Sequence, residues 1–149
     1  MKIRIDYSSL NLVSIALCIW QLPQIVIASV VILFSLVFAR NKEFLAFTNG
    51  KMTVWELRLN LDWNAPFCFT LGPFIITPFR VKNDTLLHES GHSIQSIYLG
   101  PMYLLAVAIP SVVLVWIKRI LKKDAGWYHS KYPEKWADKL AEKESMNEP

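Results

Sequence analysis

The stretch Asn83-Asp84-Thr85-Leu86-Leu87-His88-Glu89-Ser90-Gly91-His92-Ser93-Ile94-Gln95-Ser96-Ile97-Tyr98-Leu99-Gly100-Pro101 decides how the rest of the chain is read. It opens on three residues of capping type. It closes on a glycine that tolerates a helix-ending conformation and a proline that cannot continue the helix, so a helix over 84–99 is expected. Within it, His88, Glu89 and His92 form the pattern H-E-x-x-H. A spacing of four puts both imidazoles on one helix face, where they can share a zinc ion, with Glu89 beside them. Zinc lowers the pKa of a bound water toward ~7, and a neighbouring carboxylate can take its proton and pass it to a leaving amine. Chance produces the pattern in on the order of one in a few hundred chains of this length. Here two of the 3 histidines are spent on it, inside a capped helix, which favours the chemical reading.

A catalytic zinc needs a third protein ligand and one open position. The metzincin extension would require histidine at position 98, which is Tyr98, and the inverted H-x-x-E-H order is absent. The gluzincin arrangement places a glutamate on a later helix, with an aspartate four residues on to support a ligand histidine. Glu134-Lys135-Trp136-Ala137-Asp138 has that form, on a helix expected over 132–144 with Pro133 in its first turn. Carboxylates four apart repel on a bare helix, so a shared cationic partner would rationalise Glu134 and Asp138. A solvated face paired with Lys131, Lys135 and Lys139 is the plain alternative. His129 competes as third ligand or serves as a group stabilising the tetrahedral intermediate, with Tyr128 and Tyr132 behind it. Glu56 is the upstream candidate. Gln95, one turn beyond His92, either orients a ligand or satisfies polar groups between helices.

Outward from the motif the chain is apolar: 53% of its 149 residues are hydrophobic and 13% aromatic. Tyr7 to Ala39 and Ser93 to Ile117 carry no charge. Each run exceeds the ~20 residues of a membrane span, so membrane segments are expected at 7–39 and 101–117. Lys2, Arg4, Arg40 and Lys42 flank the first run, and Lys118, Arg119, Lys122 and Lys123 follow the second. That placement fits cytoplasmic flanks and lipid headgroups, and it argues against nucleic acid as the reason for the net charge of +4. The expected setting is a bacterial inner membrane, with lipids as partners and the site facing the cytoplasm. Val37-Phe38-Ala39 resembles a signal cleavage site, but the run before it is far longer than the ~7–15 residues of a signal core. Cys18 and Cys68 lack metal-type spacing and read as reduced packing residues.

Between the runs, Asn49-Gly50 is a turn signal and Thr53–Leu61 alternates as a strand would. Pro66, Pro73 and Pro78 exclude a helix from Ala65–Phe79, leaving extended or edge-strand structure. The expected fold is therefore mainly α with a small β hairpin: one domain over 1–149, with membrane-embedded helices around the motif helix. Pro23, within Trp20-Gln21-Leu22-Pro23-Gln24, should kink the first run. Pro110 raises a sharper issue. If Met102–Ile117 crossed a bilayer, His92 and Glu134 would lie on opposite sides, so a re-entrant hairpin at Pro110-Ser111 is expected.

His88-Glu89-x-Gly91-His92 with Glu134-x-x-Ala137-Asp138 resembles the membrane gluzincins of the CAAX prenyl protease and bacterial HtpX type. Leu71-Gly72-Pro73-Phe74-Ile75, the run His88 to Ser96, and Leu99-Gly100-Pro101-Met102-Tyr103-Leu104 are similar to a group of short bacterial membrane proteins of unassigned function. Their core reads H-E-Y-G-H-x-x-Q-S followed by L-G-P-L-Y-L, and Trp20 to Gln24 also fits. Ser90 stands where that group carries tyrosine or phenylalanine. The resemblance implies a zinc-protease-like site and a peptide or membrane-protein substrate, hydrolysed near the bilayer surface. A non-catalytic membrane protein, using the same residues as a structural metal or polar packing site, is the alternative.

Overall fold

The two long uncharged runs do not form unbroken helices. The computed structural model describes residues 2–4, 12–38, 41–49, 52–60, 68–78 and 80–146. Leu12–Trp20 (α1) and Leu22–Phe38 (α2) divide the first run at Gln21, and Pro23 sits in the first turn of α2, where no helical hydrogen bond is lost. The second run starts within Asn83–Leu99 (α3). It passes a 3-10 turn at Gly100–Met102 and a π turn at Leu104–Ala108, and ends in Ile109–Ile120 (α4).

Among the described residues no helix is long and apolar enough to cross a membrane. At 1.5 Å per residue the 17 residues of α2 rise about 26 Å, short of a ~30 Å hydrocarbon core. This corrects the expected membrane-embedded helices and transmembrane segments at 7–39 and 101–117. The placement in a bacterial inner membrane with a cytoplasm-facing site falls with them. Uncharged is not uniformly apolar: Gln21, Gln24, Ser93, Gln95 and Ser96 lie in these runs and are wholly buried. Other positions, Leu33, Val37, Val112 and Trp116 among them, face outward. Apolar surface of this kind favours association with a second apolar surface.

The small hairpin expected between the runs is also corrected. Lys2–Arg4 (β1), Asn41–Asn49 (β2), Met52–Asn60 (β3), Phe69–Leu71 (β4) and Phe74–Pro78 (β5) form one sheet in the order β1-β2-β3-β5-β4. β2 and β3 pair antiparallel, with Asn49 opposite Met52; Gly50 of the expected turn lies outside the described residues. β4 and β5 form a second hairpin through Gly72 and Pro73, and β5 runs parallel to β3. The prolines exclude a helix here without excluding strands: Pro73 lies in the turn and Pro78 at a strand end.

Alternation along β3 and β5 gives the sheet two apolar faces. Val54 and Ile75 meet Leu17, Leu86 and Ile97 of α1 and α3, while Leu57, Leu59 and Ile76 meet Val31 and Ile32 of α2 and Phe69 of β4. The Trp20–Gln24 segment joins α1 and α2 to the end of α3. Trp20 Nε1 donates to Ile97 O at 3.0 Å, Ser96 Oγ donates to Gln21 Oε1 at 2.6 Å, and Gln24 donates to Gly100 O. Gly100 has φ +49°, and a Cβ there would fall 2.1 Å from the Trp20 indole.

No reversal occurs at Pro110. The backbone stays helical from Tyr103 to Ile120, which overturns the re-entrant hairpin. The chain turns later, where Lys122 takes φ 50° and Lys123 N donates to Lys118 O at 3.0 Å, a Schellman-type helix end. Ala125–His129 (α5) follows, capped by Asp124 on Trp127 N at 2.7 Å, and then Glu134–Ser145 (α6), which packs on α3.

Leu57 is 1% exposed at the α2 face of the sheet. Leu57→Ala is expected to cost about 2–5 kcal/mol of unfolding free energy by urea titration. Val112→Ala, on an exposed turn of α4, should leave the midpoint where it is.

Candidate metal centre

The motif helix and the C-terminal helix meet at a glycine. A Cβ on Gly91 would lie 2.1 Å from Ala137 O, so α3 and α6 cross closer than any other residue would permit. That crossing brings Glu134 and Asp138 of α6 against His88 and His92 of α3. His88 Nε2 lies 3.0 Å and His92 Nε2 3.1 Å from the same oxygen, Glu134 Oε2. One ligand atom from each of these three residues lies within 4.8 Å of the others, a spacing that can hold a metal ion.

The outer nitrogens carry the chemical information. His88 Nδ1 donates to Asp138 Oδ1 at 2.6 Å, and His92 Nδ1 donates to Gln95 Oε1 at 2.7 Å. A carboxylate and an amide oxygen can only accept, so both Nδ1 atoms carry hydrogen. Facing Glu134 Oε2, each inward Nε2 carries a hydrogen as well, and giving up that proton would free the lone pair a metal requires. The Gln95 amide is held in that orientation by its Nε2 donating to Pro133 O at 3.0 Å, next to Glu134.

Glu89 is not bonded to the two histidines but its charge is felt by both. It is buried, and its Oε2 accepts the Thr70 hydroxyl of β4 at 2.6 Å. Asp138 also reaches His129, whose Nδ1 lies 3.0 Å from Oδ2; that ring is 4.8 Å from His88, centroid to centroid. His88, His129 and Asp138 form a second group of potential ligands. Glu56 is not in either group: it is paired with Arg58 at 2.8 Å and accepts the Thr77 hydroxyl at 3.0 Å. Tyr128 contacts Ser111 at 3.2 Å, whereas Tyr132 stacks on Trp136. The alternative of Lys131, Lys135 and Lys139 pairing the acids is not what the side chains do: Lys131 lies over the Trp127 ring, and the acids face the histidines.

Two contributors had little signal in the sequence. Thr70 is a polar residue within an aromatic stretch, and Ser111 follows Pro110 in an apolar run, where its oxygen donates to Glu134 Oε1. No family model, curated protein or solved structure matches the chain. The likeness to gluzincins therefore rests on its own residues.

The histidines and carboxylates of this cluster shift one another's ionisation. Burial works against charge on His88, but the hydrogen bonds to Glu134 and Asp138 outweigh it and push its pKa up from 6.5 to about 9. His92 is raised as well, against burial, by Glu134 and by the charge of Glu89. Burial would raise Glu134, yet its hydrogen bonds to the two histidines hold it far below the ordinary 4.5.

These directions fix two expectations. Pairing that raises His88 stabilises chelator-stripped protein in full below pH 6.5 and is lost as pH climbs through about 9, whereas the Glu134 contribution is lost on acidification below its ordinary 4.5. The urea midpoint of stripped protein should therefore be higher at pH 6 than at pH 9.5; a flat profile would show that the pairs do not form. Gly91→Ala should cost about 1–3 kcal/mol by forcing α3 and α6 apart, and its unfolding midpoint checks this.

Proposed function

We propose that the chain is a zinc-dependent peptidase of gluzincin type, with His88, His92 and Glu134 as zinc ligands. One observation carries this reading. Both imidazoles commit their outer nitrogen to an acceptor and turn the inner one toward a single carboxylate oxygen. The donor set, two imidazoles and a carboxylate, suits a catalytic zinc with one position left open. His88, His92 and Glu134 would hold the zinc, which when bound would supply Lewis acidity toward a carbonyl and a water of pKa near ~7.

The chain's own residues supply the rest. Asp138 and Gln95 hold the two rings in the tautomer and orientation that bind metal. Glu89 is the general base and then the general acid: Thr70 occupies Oε2, leaving Oε1 to take a proton from water and return it to the leaving amine. His129, anchored through Nδ1 on Asp138 and partly open to solvent, stabilises the negative oxygen that develops on the substrate carbonyl. An extended peptide would lie along β4, the outer strand of the sheet, whose Thr70 touches Glu89.

A second reading has its own support. Glu134 ties His88 and His92 together by direct charged contacts, which can join α3 to α6 as a polar packing site or structural metal site without catalysis. The two readings separate on purified protein. Stoichiometric zinc, lost in His88→Ala and retained in Glu89→Gln, is expected from elemental analysis. Peptide hydrolysis should fall about 10²–10⁴-fold in Glu89→Gln at unchanged zinc content. Protein that takes up no zinc, or hydrolysis indifferent to Glu89→Gln, would sink the peptidase.

A further inference from the structure

Ser111 lies outside the H-E-x-x-H helix and outside the Glu134–Asp138 element, yet it touches the group on which the site depends. Glu134 is wholly buried. Its Oε2 faces the two imidazoles, and its Oε1 accepts the Ser111 hydroxyl. A serine hydroxyl has one hydrogen, and Ser111 spends it on Glu134. The Tyr128 hydroxyl lies 3.2 Å from Ser111 Oγ and also hydrogen-bonds Glu134, so both hydroxyls gather on this carboxylate.

Ser111 reaches Glu134 because of the turn before it. Over Leu104–Ala108 the helix widens to π geometry, and Ile109 N donates to Leu104 O, five residues back. A π turn carries one residue more than the α register, and each residue rotates a helix by about 100°. With regular α geometry over 104–108, Ser111 would be turned about 100° away from its present direction. The helix thus gives up regular hydrogen bonding at the point that sets the direction of this hydroxyl.

We propose that Ser111, aimed by the π turn at Leu104–Ala108, is a positioning residue that holds Glu134 to the metal by one oxygen. The inference rests on the zinc reading above and extends it. A carboxylate anchored through one oxygen presents the other in a fixed direction, which favours binding of a metal beside the two imidazoles. With Oε1 engaged by Ser111, only Oε2 is directed at the histidines. Neither of the two motifs read in the sequence contains this contact.

The test is zinc affinity of the full chain, measured by competition with a chromophoric chelator. Ser111→Ala should weaken zinc binding about 10–100-fold, and Ser111→Thr, which keeps the hydroxyl, should restore it. Deletion of Ala106, which returns the helix to α register, should weaken binding as Ser111→Ala does. Leu57→Ala loses stability at the far face of the sheet and should keep wild-type affinity, which separates positioning from general destabilisation. Wild-type affinity in Ser111→Ala, with zinc lost in His88→Ala, would overturn the role of Ser111 alone. A wild-type chain that binds no zinc would overturn the zinc reading and this inference together.

Discussion

A buried carboxylate has to be answered by positive charge or by hydrogen-bond donors, and the arrangement of this protein follows from how Glu134 is answered. Two imidazoles take one oxygen and a serine takes the other. Those partners come from α3 and α4, while Glu134 belongs to α6, so one anion draws together three helices distant in sequence. The contact is possible only because Gly91 lets the α6 backbone approach α3 to a distance that a methyl group would forbid. The proposed zinc would take the place of the protons that otherwise share the imidazole lone pairs. A metal bound there would compete with protons for the two imidazoles.

The sheet serves the same centre from the other side of α3. Thr70 of β4 faces Glu89, and Tyr103 fixes β4 by donating to Thr70 O at 3.0 Å. The Trp20–Gln24 segment fastens the far end of α3 through side-chain bonds to Ile97, Ser96 and Gly100. The motif helix is thus held at its sheet face, its C-terminal end and its crossing with α6. A rigid frame is what a metal site needs, since ligand geometry tolerates little movement.

The segment between His92 and Glu134 shows how one wrong premise displaces another. A full membrane crossing would separate them, and a hairpin at Pro110 would repair that. Neither occurs. Pro110 sits at the second position of α4 just after the π turn, so the chain stays helical there and reverses at Lys122 instead. α5 then runs back beside α4, with Lys118 over the Tyr128 ring and Ser111 against the Tyr128 hydroxyl. The residues that looked like a break are part of the candidate site.

The helix carrying His88, Glu89 and His92, its end at Gly100, the late helix with Glu134 and Asp138, and the β3 alternation were legible in sequence. Each depends on local periods and on residues that stop a helix. The gluzincin-like pattern led to the expectation that Asp138 supports a histidine, and its Oδ1 lies 2.6 Å from His88 Nδ1. Hydropathy misled because an uncharged run says nothing about which of its polar groups find partners: Gln21, Gln24, Gln95 and Ser96 stand among apolar residues in sequence but find hydrogen-bond partners in the fold. The five-stranded sheet, the contacts of Thr70 and Ser111, the π turn before Ser111, and the grouping of Glu134 with both histidines on one oxygen were decided only in three dimensions. Those features depend on contacts between residues far apart in the chain, and spacing along the chain does not encode which buried donors meet which buried acceptors.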